Sequence, residues 1–440
     1  MNTLKLKERY LSIYSVILVV ILMLSQVNES SILLVGLFIG TTFLLFKPLF
    51  ILPVFLISSL GNNFFAYDGV SISRIVGFIL IVGCLITQIR ERTLIKKRMV
   101  LTLSLFLTYS FISSAFSITG SFDSFVGFGQ MLIIVFFLGQ FRNVDLNKLS
   151  WMIINASSIT IILFLFWFQE NFIELSVQRL SVSEDSSINR LATMLAQLIA
   201  LVFSGLFISA KSKLTNIIFV SIMLFGLSMI VLTGTRSALI AIIVSIVIIT
   251  FYYLKKYTMR IAIYLPLIIV IGYLFASQIQ QLDTSLLERF TVDKIQDDGG
   301  SGRLQNWKIL VPKTIEDGLF FGFGFGAENS YYVANLNGLR YSAHNFLIDM
   351  FIQMGLTGVI LFLTYFYSLA KKLVKSIDNP HMLVPVMILL TGLVNGVGET
   401  VFMEKFFWNG VALGWLYLNN VPDTFKMSKQ SYKREAHEPV

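Results

Sequence analysis

Hydrophobic and polar positions along the chain fall into long apolar runs separated by short polar connections. A helix that crosses a hydrocarbon core of about 30 Å needs roughly 20 apolar residues. On that measure spans are predicted at 11–27, 30–46, 48–60, 71–89, 99–118, 124–141, 150–168, 189–210, 214–233, 236–254, 261–279, 345–370, 382–398 and 402–420. The second and third are short and meet at Lys47-Pro48, the pattern of a hairpin that does not fully cross. The prediction is therefore twelve to fourteen spans, with the same parity at either limit. One connection departs from this rhythm. Residues 280–344 form a polar segment of about 65 residues, and loops that long are usually functional or disordered. Here "SGRLQNWKILVPKTIED" offers Ser301 as a helix N-cap, then Leu304, Trp307 and Leu310/Val311 at helical spacing. That predicts an amphipathic helix lying on the outer face, followed by a Gly/Phe turn segment, "GLFFGFGFG". No strand precedes the glycines and their spacing is wrong for a dinucleotide fingerprint, so nucleotide binding carries very little weight.

Composition agrees with the pattern. Hydrophobic residues make up 55% and charged residues 13% of the 440, with a mean hydropathy of +0.77. Soluble domains carry about 25% charged residues, so the expected fold class is an all-α polytopic membrane protein. The net charge of +9 lies in short clusters between the runs, which fits membrane orientation and not nucleic acid. The single Cys84 lies inside an apolar run, which excludes a disulfide framework and a cysteine metal site. The start, "MNTLKLKERYLSIYSVILVVILML", has the basic and apolar parts of a signal peptide, but "SQVNESS" offers no small-x-small cleavage site. An uncleaved first helix is expected.

Lys and Arg set the sidedness. With the N-terminus cytoplasmic, every inner connection carries at least one, including Lys47, Arg90, Arg142, Lys148, Lys255 and Lys371. The outer set is Arg74, Arg179, Arg190, Arg236, Arg289, Lys294, Arg303, Lys308, Lys313, Arg340 and Lys405. Arginine prevails outside, where a planar fork grips phosphate or carboxylate better than a point charge does. The expected organisation is an N-terminal transmembrane bundle over 1–189, helices carrying the Thr-Gly-Thr-Arg segment over 190–279 and the external loop over 280–344. C-terminal transmembrane helices follow over 345–420, and a cytoplasmic tail over 421–440.

Three features are candidates for chemistry. Arg236, in "TGTRSA", stands in a tight turn between two spans. A boundary arginine is costly and functional by default, although a snorkelling arginine that ends a helix explains it equally well. Arg303 opens the loop helix, where the helix N-terminus and a guanidinium both favour an anion; an exposed arginine without a role is the plainer reading. His344 with Asn345 begins the run "HNFLIDMFIQMGLTG". Its imidazole can accept a proton from a hydroxyl or face a phosphate, against the plainer reading of an interfacial histidine. Asp349 is out of phase with His344 on a helix and in phase with Asn345, its expected local partner. Gly355 and Gly358 are expected to form a small face for close helix packing.

His344-Asn345, nine residues, Gly355, two residues and Gly358 together resemble the His-[Asn/Ser/Gln]-x9-Gly-x-x-[Gly/Thr/Tyr] signature of the O-antigen ligase family, whose surrounding region Wzy-type polysaccharide polymerases share. "LTGTRSALIAIIV" resembles that family's Thr/Ser-Arg segment, and "SGRLQNWKIL…GFGFG…SAHNFLIDMFIQMGLTG" its large loop running into the next helix. The likeness covers about residues 190–420. It implies a GT-C-like, metal-independent glycosyltransferase without a cofactor, multi-pass in the bacterial inner membrane with both termini cytoplasmic. The implied donor is a glycan on undecaprenyl pyrophosphate. By position, Arg236 and Arg303 would hold the pyrophosphate, and His344 would activate the acceptor hydroxyl or help bind the diphosphate. An acidic residue is expected towards the C-terminus, at Glu399 or Glu404, with Asn345 and Arg190 supporting. A polymerase that joins lipid-linked repeat units is the leading expectation. A ligase that moves the finished glycan to lipid A core or another acceptor is the second, and a transporter or flippase for lipid-linked sugars the alternative of another class. A chain-length regulator is a possible partner of the polymerase, and nucleic acid is not expected.

Overall fold

The computed structural model describes residues 2–27, 31–61, 66–67, 70–91, 97–115, 122–171, 188–208, 212–253, 303–325, 343–399 and 404–421. The apolar runs become helices: α1 Asn2–Val27, α2 Ser31–Phe43, α3 Leu52–Leu60, α4 Ile72–Glu91, α5 Lys97–Ala115, α6 Phe122–Leu138, α7 Leu146–Asn171, α8 Ile188–Ile208 and α9 Lys213–Thr233. The series continues with α10 Arg236–Tyr253, α11 Arg303–Gly318, α12 Phe346–Ser376, α13 Leu383–Gly396 and α14 Lys405–Asn420. A two-residue pairing of Ala66–Tyr67 with Val70–Ser71 is the strand content of the described residues. The chain is an all-α polytopic membrane protein, and six of these helices are long and apolar enough to cross a bilayer unaided. The expected span at 261–279 and the Ser301 cap lie outside the described residues. At about 1.5 Å per residue, nine-residue α3 falls well short of a crossing. It meets α2 through turns and a 3-10 segment at Pro48–Phe50, as the hairpin expectation required.

α8 and α14 form the interior. Nearly every residue from Leu191 to Gly205 of α8 is buried, and α14 is buried from Phe406 to Leu413. α8 packs against α7, α9 and α13, and α14 against α3, α6 and α13. The periphery keeps large apolar side chains outside, among them Ile32, Phe43, Phe78 and Ile89. Patches of that kind belong to a surface solvated by lipid.

The two ends of the bundle differ. At one end Lys47, Arg90, Arg142 and Lys148 line a single pocket, Asn420 Oδ1 accepts from Val144 N at 2.8 Å, and Tyr252 donates to Asp378 at 3.2 Å. At the other end Lys405 Nζ donates to Ser73 at 2.6 Å and Thr235 Oγ1 to Asn189 Oδ1 at 3.2 Å. Residues assigned to one side by counting spans therefore converge at one end.

α12 is not the straight helix expected over 345–370. Gly355 has φ 65° and ψ −173°, a region that essentially only glycine enters. The Phe346 and Phe362 rings lie 5.9 Å apart, whereas a straight helix would separate these residues by about 24 Å. The first arm, 346–354, thus folds back along the second, 356–376. The second arm alone is about 31 Å long, enough to cross. Gly355 and Gly358 do not form the expected packing face. A methyl at Gly355 would lie 2.4 Å from Phe320 C, and one at Gly358 2.2 Å from Met354 Cβ.

The Gly/Phe segment fills this break. Phe323 N donates to Ile352 O at 2.8 Å, Gly324 N to Gln353 O at 2.9 Å, and Leu356 N to Leu319 O at 2.7 Å. These bonds satisfy backbone groups that the break removes from the helical ladder. Tyr109 of α5 reaches Phe320 O at 2.7 Å and Met354 O at 2.6 Å. Ser113 donates to Phe321 O at 2.8 Å.

Candidate functional site

His344 sits at the tip of the folded-back arm. Its φ of 44° is left-handed, a conformation uncommon outside glycine in which histidine is enriched. The chain is held on both sides of it. Upstream, Trp307 Nε1 of α11 donates to Ala343 O at 2.6 Å. Downstream, Asn345 caps α12, its Oδ1 accepting from Leu347 N at 3.1 Å and Ile348 N at 3.2 Å while its Nδ2 donates to Val397 O at 3.2 Å. Asn345 is therefore a helix cap; Asp349 N donates to its carbonyl at 2.8 Å, while Asp349 Oδ1 accepts from Gln353 at 3.0 Å. α11 packs on α12 through Leu310, Phe323, Ala343 and Ile352.

Glu399 gathers the site. Its Oε2 lies 3.6 Å from His344 Nδ1, and its Oε1 lies 3.5 Å from Arg303 Nη2. Asn189 Nδ2 donates to the same Oε1 at 3.1 Å, and Thr235 of the α9–α10 turn donates to Asn189. Gly234, left-handed at φ 64°, closes α9 and places Thr235 beside the start of α10. Arg236 is half-buried at that start, between Thr235 and Ser237. A methyl at Gly398 would lie 2.9 Å from Arg303 Nη1 and 3.2 Å from Ser237 Cβ, so Gly398 lets the guanidinium approach α10. Four separate segments thus meet: the start of α8, the α9–α10 turn, the start of α11 and the loop ahead of α12, all facing the end of α13.

The expected residues divide accordingly. Arg303, His344 and Glu399 make direct contacts, and Arg236 lies one residue from two that border them. Arg190 and Glu404 form a second pair at 3.2 Å. Glu404 stands just outside α14; burial pushes its carboxyl above the usual range, Arg190 and Lys405 pull it down, and Glu399 adds to the rise. Asn189, Thr235, Gly398 and Trp307 were not singled out from the sequence as site residues. The readable signals were an Asn beside an Arg at the opening of a span and a threonine in the turn before Arg236.

The electrostatics favour an anion. Arg303 faces Glu399 and Arg190 faces Glu404, and Arg236 stands half-buried at the start of α10 beside them. Arg303 Nε is buried without a hydrogen-bond partner among the described residues. Buried donors without partners are costly and uncommon in a site that is complete. A phosphate oxygen is the kind of acceptor this arrangement lacks.

Fold and site together define a polytopic helical membrane protein with a cationic site at one end of its bundle. The O-antigen ligase family model (Wzy_C) matches residues 221–363, a stretch that includes Arg236, Arg303, His344 and Asn345. Over these residues the chain is similar to an O-antigen ligase domain. The match is shorter than the resemblance over about residues 190–420, and Glu399 lies beyond it. No curated protein matches the chain.

Proposed function

We propose that the protein is a polymerase that transfers undecaprenyl-pyrophosphate-linked glycan onto a lipid-linked repeat unit at the outer face of the cytoplasmic membrane. The observation that carries this reading is the convergence of Arg303 and His344 on Glu399 beside the start of α10. Arg236 and Arg303 hold the donor diphosphate. The acceptor hydroxyl attacks the anomeric carbon of the donor sugar, the bond from that carbon to the phosphate oxygen breaks, and undecaprenyl pyrophosphate departs. Guanidinium groups offset the charge that develops on the leaving oxygen. The hydroxyl proton passes to His344 Nε2, while Glu399 at Nδ1 orients the ring and stabilises its charged form.

The site end is then the external face and the end bearing Lys47 and Arg142 the cytoplasmic one, with both termini inside. The second reading, equally compatible with the matching family model, is a ligase whose acceptor is lipid A core or another molecule. The deciding experiment reconstitutes the protein with undecaprenyl-pyrophosphate-linked repeat units as sole substrate and resolves the products on a gel. A ladder of longer lipid-linked chains supports the polymerase. Transfer seen only after a separate acceptor is added replaces it with the ligase.

A further inference from the structure

A second cationic pocket lies at the same end of the bundle, in a part of the fold that the transfer site does not use. A cavity of about 240 Å³ opens between α3, α4, α6 and α14. Arg74 and Lys405 line it, and they stand near enough to repel each other. Phe55, Phe78, Ile81, Met131, Ile134 and Trp408 supply its apolar walls. Phe78 and Ile133, which also line it, remain exposed on the lipid-facing side of the bundle. From Arg74 to Ile81 the lining descends two turns of α4, about 10 Å. The cavity is thus cationic towards the ends of α4 and α14, apolar below, and open sideways to lipid.

Those properties select a ligand. Two cations line one cavity, and side-chain cations are suited to phosphate oxygens. Apolar walls leading away from the charges suit a hydrocarbon chain attached to that anion. Lys405 Nζ donates to Ser73 Oγ at 2.6 Å and also feels Glu404, which Arg190 engages at 3.2 Å. Arg190 in turn follows Asn189, which binds Glu399, so the cavity adjoins the transfer site without sharing its arginines.

We propose that this cavity holds the diphosphate of a second polyprenyl-linked substrate, the acceptor, beside the donor at Arg236 and Arg303. The inference rests on the polymerase reading, in which both substrates are lipid-linked; a ligase acting on lipid A core would need no second polyprenyl diphosphate.

The test counts undecaprenyl pyrophosphate bound per chain by native mass spectrometry, using protein purified in detergent. Wild type is expected to bind two. Arg74→Gln changes an exposed residue and should keep the fold while binding one, with at least a tenfold loss of affinity at the second site. Lys405→Gln should do the same. Arg303→Ala should remove the other molecule. Two molecules retained in Arg74→Gln would overturn the proposal. So would displacement of the second molecule by equimolar phosphatidylglycerol, which would make the cavity a site for ordinary anionic lipid. Loss in Arg74→Gln with none in Arg303→Ala would uphold the cavity and remove the donor assignment instead.

Discussion

His344 Nδ1, just ahead of α12, faces Glu399 Oε2, just after α13, at 3.6 Å, and the same carboxylate reaches Arg303 at 3.5 Å. One acid therefore orients both the group that would accept a proton and a group that would hold phosphate. Sharing it explains why the residues nearest the proposed chemistry come from segments far apart in the chain.

Replacing that acid should disable the site without unfolding the bundle. Glu399→Gln keeps the volume and a hydrogen-bonding oxygen for Asn189 but removes the charge. Transfer in reconstituted membranes is expected to fall by about 10²-fold or more, on the scale of a lost acid–base partner. Activity within a factor of two of wild type would remove Glu399 from the mechanism.

The break in α12 makes a prediction about stability. Gly355→Ala places a side chain on a glycine-only conformation and against Phe320. It should cost about 2 kcal/mol or more, read as a lowered Tm. Gly36→Ala is the comparison: among the described residues nothing lies within 4 Å of a methyl there, and the change should be neutral or slightly stabilising. Equal Tm values for the two variants would show that α12 does not need its reversal.

Tyr109→Phe removes the hydroxyl that reaches both Phe320 O and Met354 O. The Met354 carbonyl is part-buried, and leaving a buried carbonyl without its donor costs about 1–3 kcal/mol. Hydrogen exchange should rise selectively in residues 318–325, and transfer should fall less than in Glu399→Gln. Unchanged exchange would mean that this hydroxyl does not hold the Gly/Phe segment.

The proposed sidedness is open to a labelling test, because the one native cysteine, Cys84, is buried. In intact cells Lys308→Cys should react with an impermeant maleimide, and Lys47→Cys only after permeabilisation. The reverse pattern would invert the topology and place the candidate site in the cytoplasm.

Much of this was legible in the sequence because it is local. Runs of apolar residues dictate helices, and counting those runs indicates which ends converge. His344, Asn345 and Gly355 were visible as a spaced motif, yet the purpose of Gly355 was not. Its spacing to Gly358 fits a packing face, and only the contact with Phe320 shows that the helix folds back there. The choice between Glu399 and Glu404 also lay beyond the sequence. Both follow α13, and the geometry separates them: Glu399 faces His344 while Glu404 faces Arg190. Asn189 is set apart from other polar residues at helix starts only by its bonds to Glu399 and Thr235.

The most direct measurement compares wild type and His344→Ala in the same lipid, following transfer from the undecaprenyl-pyrophosphate-linked donor and, in parallel, binding of that donor. The account predicts transfer reduced by about 10²-fold or more, with donor binding retained because Arg236 and Arg303 remain. Undiminished transfer in His344→Ala would contradict it.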